Sequence, residues 1–249
     1  MSRLIVVSNR IGDLTSPTQT GGLAVAVAET FRFHDGIWIG WDGVPDRDDS
    51  DKAGETVRHI GNVETVGVPL PGNDYADHYY GFANSVLWPL FHYRADLVDY
   101  DARYFAACLK VNQRLGEAIV GRLQSDDIVW VHDYQLIPLG HDLRRRGCRN
   151  RIGFFLHTPF PPPEVLATSP DHKRIMDALL QYDLVGFQTY TDLANFHRYI
   201  ELNELGTVEA DNTIRTSTRT LSSGRFPICI DVEDFSDMAC RPDEQVQLD

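Results

Sequence analysis

Short, unbroken apolar runs punctuate the chain at Leu4 to Val7, Ile37 to Trp41, Val63 to Val68, Ile128 to Val131, Ile152 to Leu156, Leu184 to Phe187 and Phe226 to Ile230. Each is strand-length and rich in β-branched or aromatic residues, the pattern of strands covered on both faces. Between them the spacing changes to three or four. From Tyr104 to Leu123, the residues Phe105, Cys108, Leu109, Asn112, Leu115, Ile119 and Leu123 fall on one stripe, which predicts a helix. Leu23 to Phe33, Leu136 to Arg146 and Asp192 to Leu205 read as helices too. Alternating strands and helices predict an α/β fold in which a parallel sheet carries helices on both faces. Asp42 to Thr56, dense in Asp, Gly and Pro, reads as an exposed connection. Beyond Ile230 the sequence turns acidic and polar, so residues 1–230 are expected to form the domain and 231–249 a linker or tail.

The 249 residues, 43% hydrophobic and 24% charged, have ordinary globular composition. A formal charge of -13 changes the picture more, because the average surface repels nucleic acid and anionic lipid. A small anionic ligand would need a local cation or helix-end amides, which makes any arginine in a cleft informative. Cys108, Cys148, Cys229 and Cys240 are widely separated and read as reduced structural thiols. Neither a signal peptide nor an 18-residue apolar span is legible, so no membrane partner and a cytoplasmic location are expected.

In open parallel sheets ligands gather at the carboxyl ends of the strands. There the sequence places Ser8, Asn9 and Arg10, then His132, Asp133 and Tyr134, then His157, then Gln188. Arg10 offers forked donors to a phosphate monoester, or an ordinary surface ion pair. Asp133 and His157 carry groups suited to sugar hydroxyls, or to holding a loop. Gly21 and Gly22 precede a helix start, where free N–H groups and a bare backbone would accept a diphosphate; the same pair also serves an ordinary tight turn. Trp41 and Trp88 stand where a ring could pack on a sugar, whereas Trp38 and Trp130 read as core. Asp46-Arg47-Asp48 sits in an acidic run and reads as solvated loop, and His92 lacks helical metal-ligand spacing, so no metal is expected.

Several segments resemble one family. They are Val7 to Arg10, Thr20 to Leu23, Asn84 to Tyr93, Trp130 to Tyr134, Arg151 to Pro161 and Leu184 to Thr189. In that order they are similar to the trehalose-6-phosphate synthases, retaining glucosyltransferases built from two facing Rossmann-like domains of the B type. The resemblance runs from Arg3 to about Ile230 and implies the amino-terminal, acceptor-binding half of such an enzyme. It implies transfer of glucose from UDP-glucose to glucose 6-phosphate, giving trehalose 6-phosphate, with UDP-glucose as co-substrate and no cofactor. Carried over by position, Arg10 would hold the acceptor phosphate, helped by Tyr79 and by Trp41 and Trp88, and Asp133 would meet the acceptor sugar. His157 would contact the donor glucose, and Gly21 and Gly22 the UDP phosphates, with Asp133 and His157 as the catalytic pair. His78-Tyr79-Tyr80-Gly81-Phe82-Ala83-Asn84 departs from the family's usual Tyr-Tyr-Asn-Gly-Phe-Ser-Asn, leaving both Tyr79 and Tyr80 eligible.

The family's donor-side cations and acidic loop have no counterpart here. The expectation is therefore an acceptor half without its carboxy-terminal nucleotide-binding domain, inactive alone, whose uncovered cleft favours self-association. Related acceptors, as in glucosylglycerol-phosphate or pseudo-glycosidic cyclitol synthases, and a non-catalytic sugar-phosphate-binding module are the competing readings.

Overall fold

The computed structural model describes residues 2–12, 14, 22–46 and 54–228. Among them one ten-stranded sheet runs β3(Thr56–Ile60), β4(Val63–Pro71), β2(Gly36–Asp46), β1(Leu4–Arg10), β5(Ile128–His132), β6(Arg151–Phe155), β7(Leu184–Phe187), β10(Thr220–Arg225), β9(Thr213–Arg215) and β8(Thr207–Val208). The strands from β4 to β10 in that order are parallel. The chain works outward through β1, β2 and β4, then returns to lay β5 against the other side of β1. That reversal opens a crevice at the carboxyl ends of β1 and β5.

Burial explains why the apolar runs became strands. On β1, Ile5 and Val7 face one core and Val6 the other; on β2, Ile37, Ile39 and Trp41 oppose Trp38 in the same way. Helix α1(Gly22–Thr30) covers the second core through Val27, joined by Phe31 just past its end. The first core is covered by a helical segment over residues 72–91, which includes α2(Gly72–Tyr75) and α3(Trp88–Phe91), and by α4(Ala102–Val120); the Phe82 and Phe105 rings of the two meet at 4.9 Å. Asp101 caps α4, accepting from the Arg103 N–H at 2.9 Å. The predicted helices reappear as α1, α4, α5(Leu139–Arg145) and α8(Tyr190–Leu202), with the shorter α6(Pro163–Leu166) and α7(His172–Leu179) between the last two.

The sheet departs from the expected one in three places. Its edges are antiparallel, β3 on β4 at one side and β9 between β10 and β8 at the other. Exposed Thr56–Ile60 alternates too weakly, and β8 and β9 are too short, to leave an apolar run. The expected connection from Asp42 begins inside a strand, because β2 continues to Asp46. The last strand is Thr220–Arg225 rather than Phe226 to Ile230: Phe226 is half exposed, and Cys229 and Ile230 lie outside the described residues. β10 buries a single large apolar residue, Leu221, beside the small Ser223 and Gly224, with Ser223 Oγ donating to the Asn212 carbonyl at 2.9 Å. No helix among the described residues is long and apolar enough to cross a membrane.

Candidate active site

The end of β1 is shaped by a one-residue irregularity. Val7 pairs with Ile39, yet Arg10 pairs with Trp41, so two residues of β1 oppose one of β2. Gly40 stands at that point, where a Cβ would lie 2.4 Å from the Ser8 carbonyl. The bulge sets Arg10 beside Trp41, its guanidinium 5.9 Å from the ring centroid. Beneath it Gly43, at φ +87, leaves room that a Cβ would take from the Arg10 Nε, 2.7 Å away. Among the described residues no carboxylate pairs with Arg10, although the protein is strongly acidic.

Other polar groups at the strand ends are committed to the protein itself. Buried Ser8 accepts from Trp38 Nε1 and donates to the Arg10 carbonyl, both at 2.8 Å. Asn9 Oδ1 meets His78 Nε2 at 3.1 Å, and Gln188 accepts from the Ile228 N–H at 3.0 Å. Trp38 lies in the core as expected, and Trp130 packs against it half-buried. Arg10, Asp133 and His157 remain.

An aromatic wall joins them. Within the segment over residues 72–91, Ala76–Leu87 is a π-helix, closed i→i+5, so that the fourth and fifth following residues both reach back over Tyr75. Tyr75 consequently stacks on Tyr79 at 5.3 Å and meets the edge of Tyr80 at 5.5 Å, while its other side packs on Trp41 at 4.0 Å. Burial and the neighbouring phenols push the Tyr75 hydroxyl up, and the charge of Arg10 opposes that shift. Trp41 is therefore covered and backs the wall. Trp88 starts a helical turn rather than a loop, is 47% exposed, and lies 5.9 Å from the Tyr134 ring. Tyr80 is 60% exposed, whereas Tyr79 is half-buried and adds to the rise of the Tyr134 hydroxyl, whose main cause is burial.

Asp133 and His157 follow β5 and β6, two strands in register at His132 and Phe155. Asp133 has φ 75 and ψ 165, a region essentially reserved for glycine. Its Oδ1 accepts from the Tyr134 N–H at 3.0 Å and the His157 N–H at 3.4 Å. Burial outweighs those bonds and pushes its carboxyl up to about 6. His157 Nε2 lies 3.0 Å from Nδ1 of buried His132. The three expected residues thus stand at the carboxyl ends of the adjacent central strands β1, β5 and β6.

Comparison with known sequences decides the family. The model for glycosyltransferase family 20 matches residues 7–247. The chain belongs to glycosyltransferase family 20. A trehalose-6-phosphate synthase of Sinorhizobium fredii is 40% identical over 242 residues, which cover 96% of this chain and 52% of the relative. The trehalose-phosphate synthase of Burkholderia xenovorans solved in complex with glucose-6-phosphate is 42% identical with a TM-score of 0.87, covering 95% of this chain and 52% of that one. The E. coli protein solved with UDP-2-fluoro glucose is 36% identical with a TM-score of 0.90, covering 99% and 54%. The chain spans about half the length of the curated relatives it matches. Its fold is that of one half of these two-domain glycosyltransferases, and the sequence-derived family assignment holds.

Within this family 20 chain, Gly22 is the first residue of α1, as the glycine-turn reading requires, whereas Gly21 lies outside the described residues. Arg47 and Asp48 of the acidic run also lie outside them. A separate cavity of about 230 Å³ opens between α4, α5 and α7(His172–Leu179) and shares no residue with the strand-end cluster. Several of its charges are already paired, Asp142 with Arg146 and Arg174 with Asp171. Sequence reasoning did not select Tyr75, which lies in no strand-end motif and becomes central through the i→i+5 turn. It placed His132 beside Asp133 without a role, because contact between His132 and His157 depends on strand register.

The buried imidazoles set an expected pH response. Burial lowers His78 to about 4, His132 to about 3 and His157 to about 4, with the charge of His157 adding to the effect at His132. Below their usual value of 6.5 the unfolded chain takes up protons that these folded rings refuse, so stability present above pH 6.5 is lost as pH falls toward 4. Asp133 runs the other way, since its raised carboxyl binds a proton in the folded state first. The three rings together lose about 6 kcal/mol between pH 7 and 5, of which Asp133 returns about 1 kcal/mol, so the expected net loss is about 5 kcal/mol. Urea unfolding at the two pH values measures it, and an unchanged midpoint would contradict neutral buried rings.

Proposed function

We propose that this chain is the acceptor half of a trehalose-6-phosphate synthase, which moves glucose from UDP-glucose onto glucose 6-phosphate. One observation carries the reading: Arg10, bulged onto the face of Trp41 and paired with no carboxylate among the described residues, stands at the same carboxyl end of the central strands as Asp133 and His157. A phosphate monoester supplies what that guanidinium lacks, and a hexose is the body that an aromatic wall with one carboxylate recognises. The glucose-6-phosphate bound by the Burkholderia xenovorans relative supports this acceptor over the related ones.

In this proposal Arg10 grips the phosphate, and Tyr79 and Trp88 line the sugar with Trp41 behind them. Asp133 binds acceptor hydroxyls. His157 binds the donor glucose, and Gly21 and Gly22 present backbone N–H groups to the UDP diphosphate at the start of α1. Transfer with retention then proceeds on one face, as the departing phosphate takes the proton of the acceptor hydroxyl. The protein's task is alignment and charge stabilisation, and no enzymatic nucleophile, metal or cofactor enters. Residues 1–230 form the acceptor domain, 231–249 a linker, and the protein works in the cytoplasm with a self-associating cleft face.

Calorimetry tests the reading. Glucose 6-phosphate is expected to bind the 249-residue protein weakly but saturably, and glucose much more weakly; equal affinity for the two would overturn it. The same polypeptide mixed with UDP-glucose and glucose 6-phosphate is expected to release no UDP above background, because the cations that stabilise the leaving diphosphate lie in the family's other half. Robust UDP release would refute that part.

A further inference from the structure

We infer that His132 is a positioning residue which holds His157 in the tautomer carrying its proton on Nδ1, so that His157 presents an N–H, rather than a lone pair, to the cleft. The inference deepens the proposed reading, in which His157 meets the donor sugar. It starts from a pair of rings: His132 Nδ1 and His157 Nε2 lie 3.0 Å apart, a distance that requires a proton on one of the two nitrogens.

His132 is 2% exposed and fixed by rings on either side, Trp130 at 4.2 Å and Phe155 at 6.5 Å. Its second nitrogen, Nε2, is buried without a partner. That orphan decides the direction of the bond. If His157 donated, neutral His132 would carry its proton on Nε2, leaving a buried N–H with no acceptor. If His132 donates from Nδ1, Nε2 is only an unused acceptor. Orphaned buried donors are rarer than unused acceptors, so the second arrangement is favoured. His157 Nε2 is then occupied as an acceptor, and the proton of the neutral ring sits on Nδ1.

His157 is only half-buried, and among the described residues its Nδ1 has no partner. Phe155 meets the ring edge-on at 4.7 Å, and the His157 backbone N–H is held toward Asp133, so the ring has little freedom to turn. A fixed N–H beside a carboxylate gives the edge one donor and one acceptor. Such a pair can distinguish hydroxyl positions on a sugar, because each hydroxyl must orient its own proton to satisfy it.

The experiment is long-range proton–nitrogen NMR on the ligand-free 249-residue protein, with His157→Asn and His132→Asn variants used to assign the ring signals. The wild-type His157 ring is expected to show a protonated Nδ1 and a bare Nε2; a protonated Nε2 in the wild type overturns the proposal without recourse to any variant. His132→Phe is expected to release His157 to the Nε2–H form that free imidazole prefers. His132→Asn, whose amide N–H replaces the Nδ1 donor, is expected to retain Nδ1–H. Retention of Nδ1–H in His132→Phe would also overturn it. These readings precede any ligand, so their failure is distinguishable from failure of the functional reading, which the glucose 6-phosphate calorimetry tests.

Discussion

Replacing Arg10 with alanine is expected to remove measurable binding of glucose 6-phosphate while leaving the fold intact. Arg10 is the exposed end of β1, and no carboxylate among the described residues depends on it. Its loss should therefore change stability by no more than about 0.5 kcal/mol. A charge-assisted bond to phosphate is worth about 1.5–3 kcal/mol, so affinity should fall about 10- to 150-fold, enough to take weak binding below detection. Arg10→Lys should recover part of it, since an ammonium supplies the charge but not the fork that matches a phosphate. Calorimetry with all three proteins decides the matter, and equal affinity for wild type and Arg10→Ala would end the assignment. Gly43→Ala offers a second approach to the same atoms, because its methyl would occupy the space of the guanidinium.

Asp133→Gly is expected to give a more stable protein that no longer recognises the sugar. Two costs are concentrated at this residue: a backbone region essentially reserved for glycine, and a carboxylate whose burial raises it to about 6. Relief of the backbone contributes about 1–3 kcal/mol. Removal of the buried charge contributes about 2 kcal/mol at pH 7. Against these stand about 1 kcal/mol of glycine entropy and the lost cap on the Tyr134 N–H, worth about 1 kcal/mol. A net gain of about 1–3 kcal/mol is expected in urea unfolding. Asp133→Ala isolates the backbone component: it removes the same charge but keeps the strain, so it should be less stable than Asp133→Gly by up to about 2 kcal/mol. An alanine variant more stable than the glycine variant by about 1 kcal/mol, the glycine entropy alone, would show that the unusual φ costs nothing. A residue that weakens the protein where it sits is what a ligand-facing carboxylate would be.

The core of the sheet was legible because continuous apolar runs are themselves the requirement for a strand buried on both faces. Leu4 to Val7, Ile128 to Val131 and Ile152 to Leu156 all reappear at its centre. Where burial is achieved otherwise, the signal vanishes. β10 has one isolated apolar core residue, Leu221, beside buried Ser223 and Gly224, and the apolar run after it drew the expected strand too far along the chain. The segment over residues 72–91 mixes tyrosines, polar residues and Pro89 without a 3.6-residue stripe, because much of it turns with a wider period.

The same division runs through the site. Arg10, Asp133 and His157 could be chosen from sequence because strand ends follow directly from strand positions, and order along the chain fixes which residue comes just after each run. Tyr75 against Trp41, and His132 against His157, could not be, since a bulge, an i→i+5 turn and the register of two strands decide those contacts. Local pattern thus determined the strands, the edge where ligands gather and the family. Only the folded chain decided which polar groups are consumed internally, because the bonds that tie Ser8 to Trp38, Asn9 to His78 and Gln188 to Ile228 join residues distant in sequence.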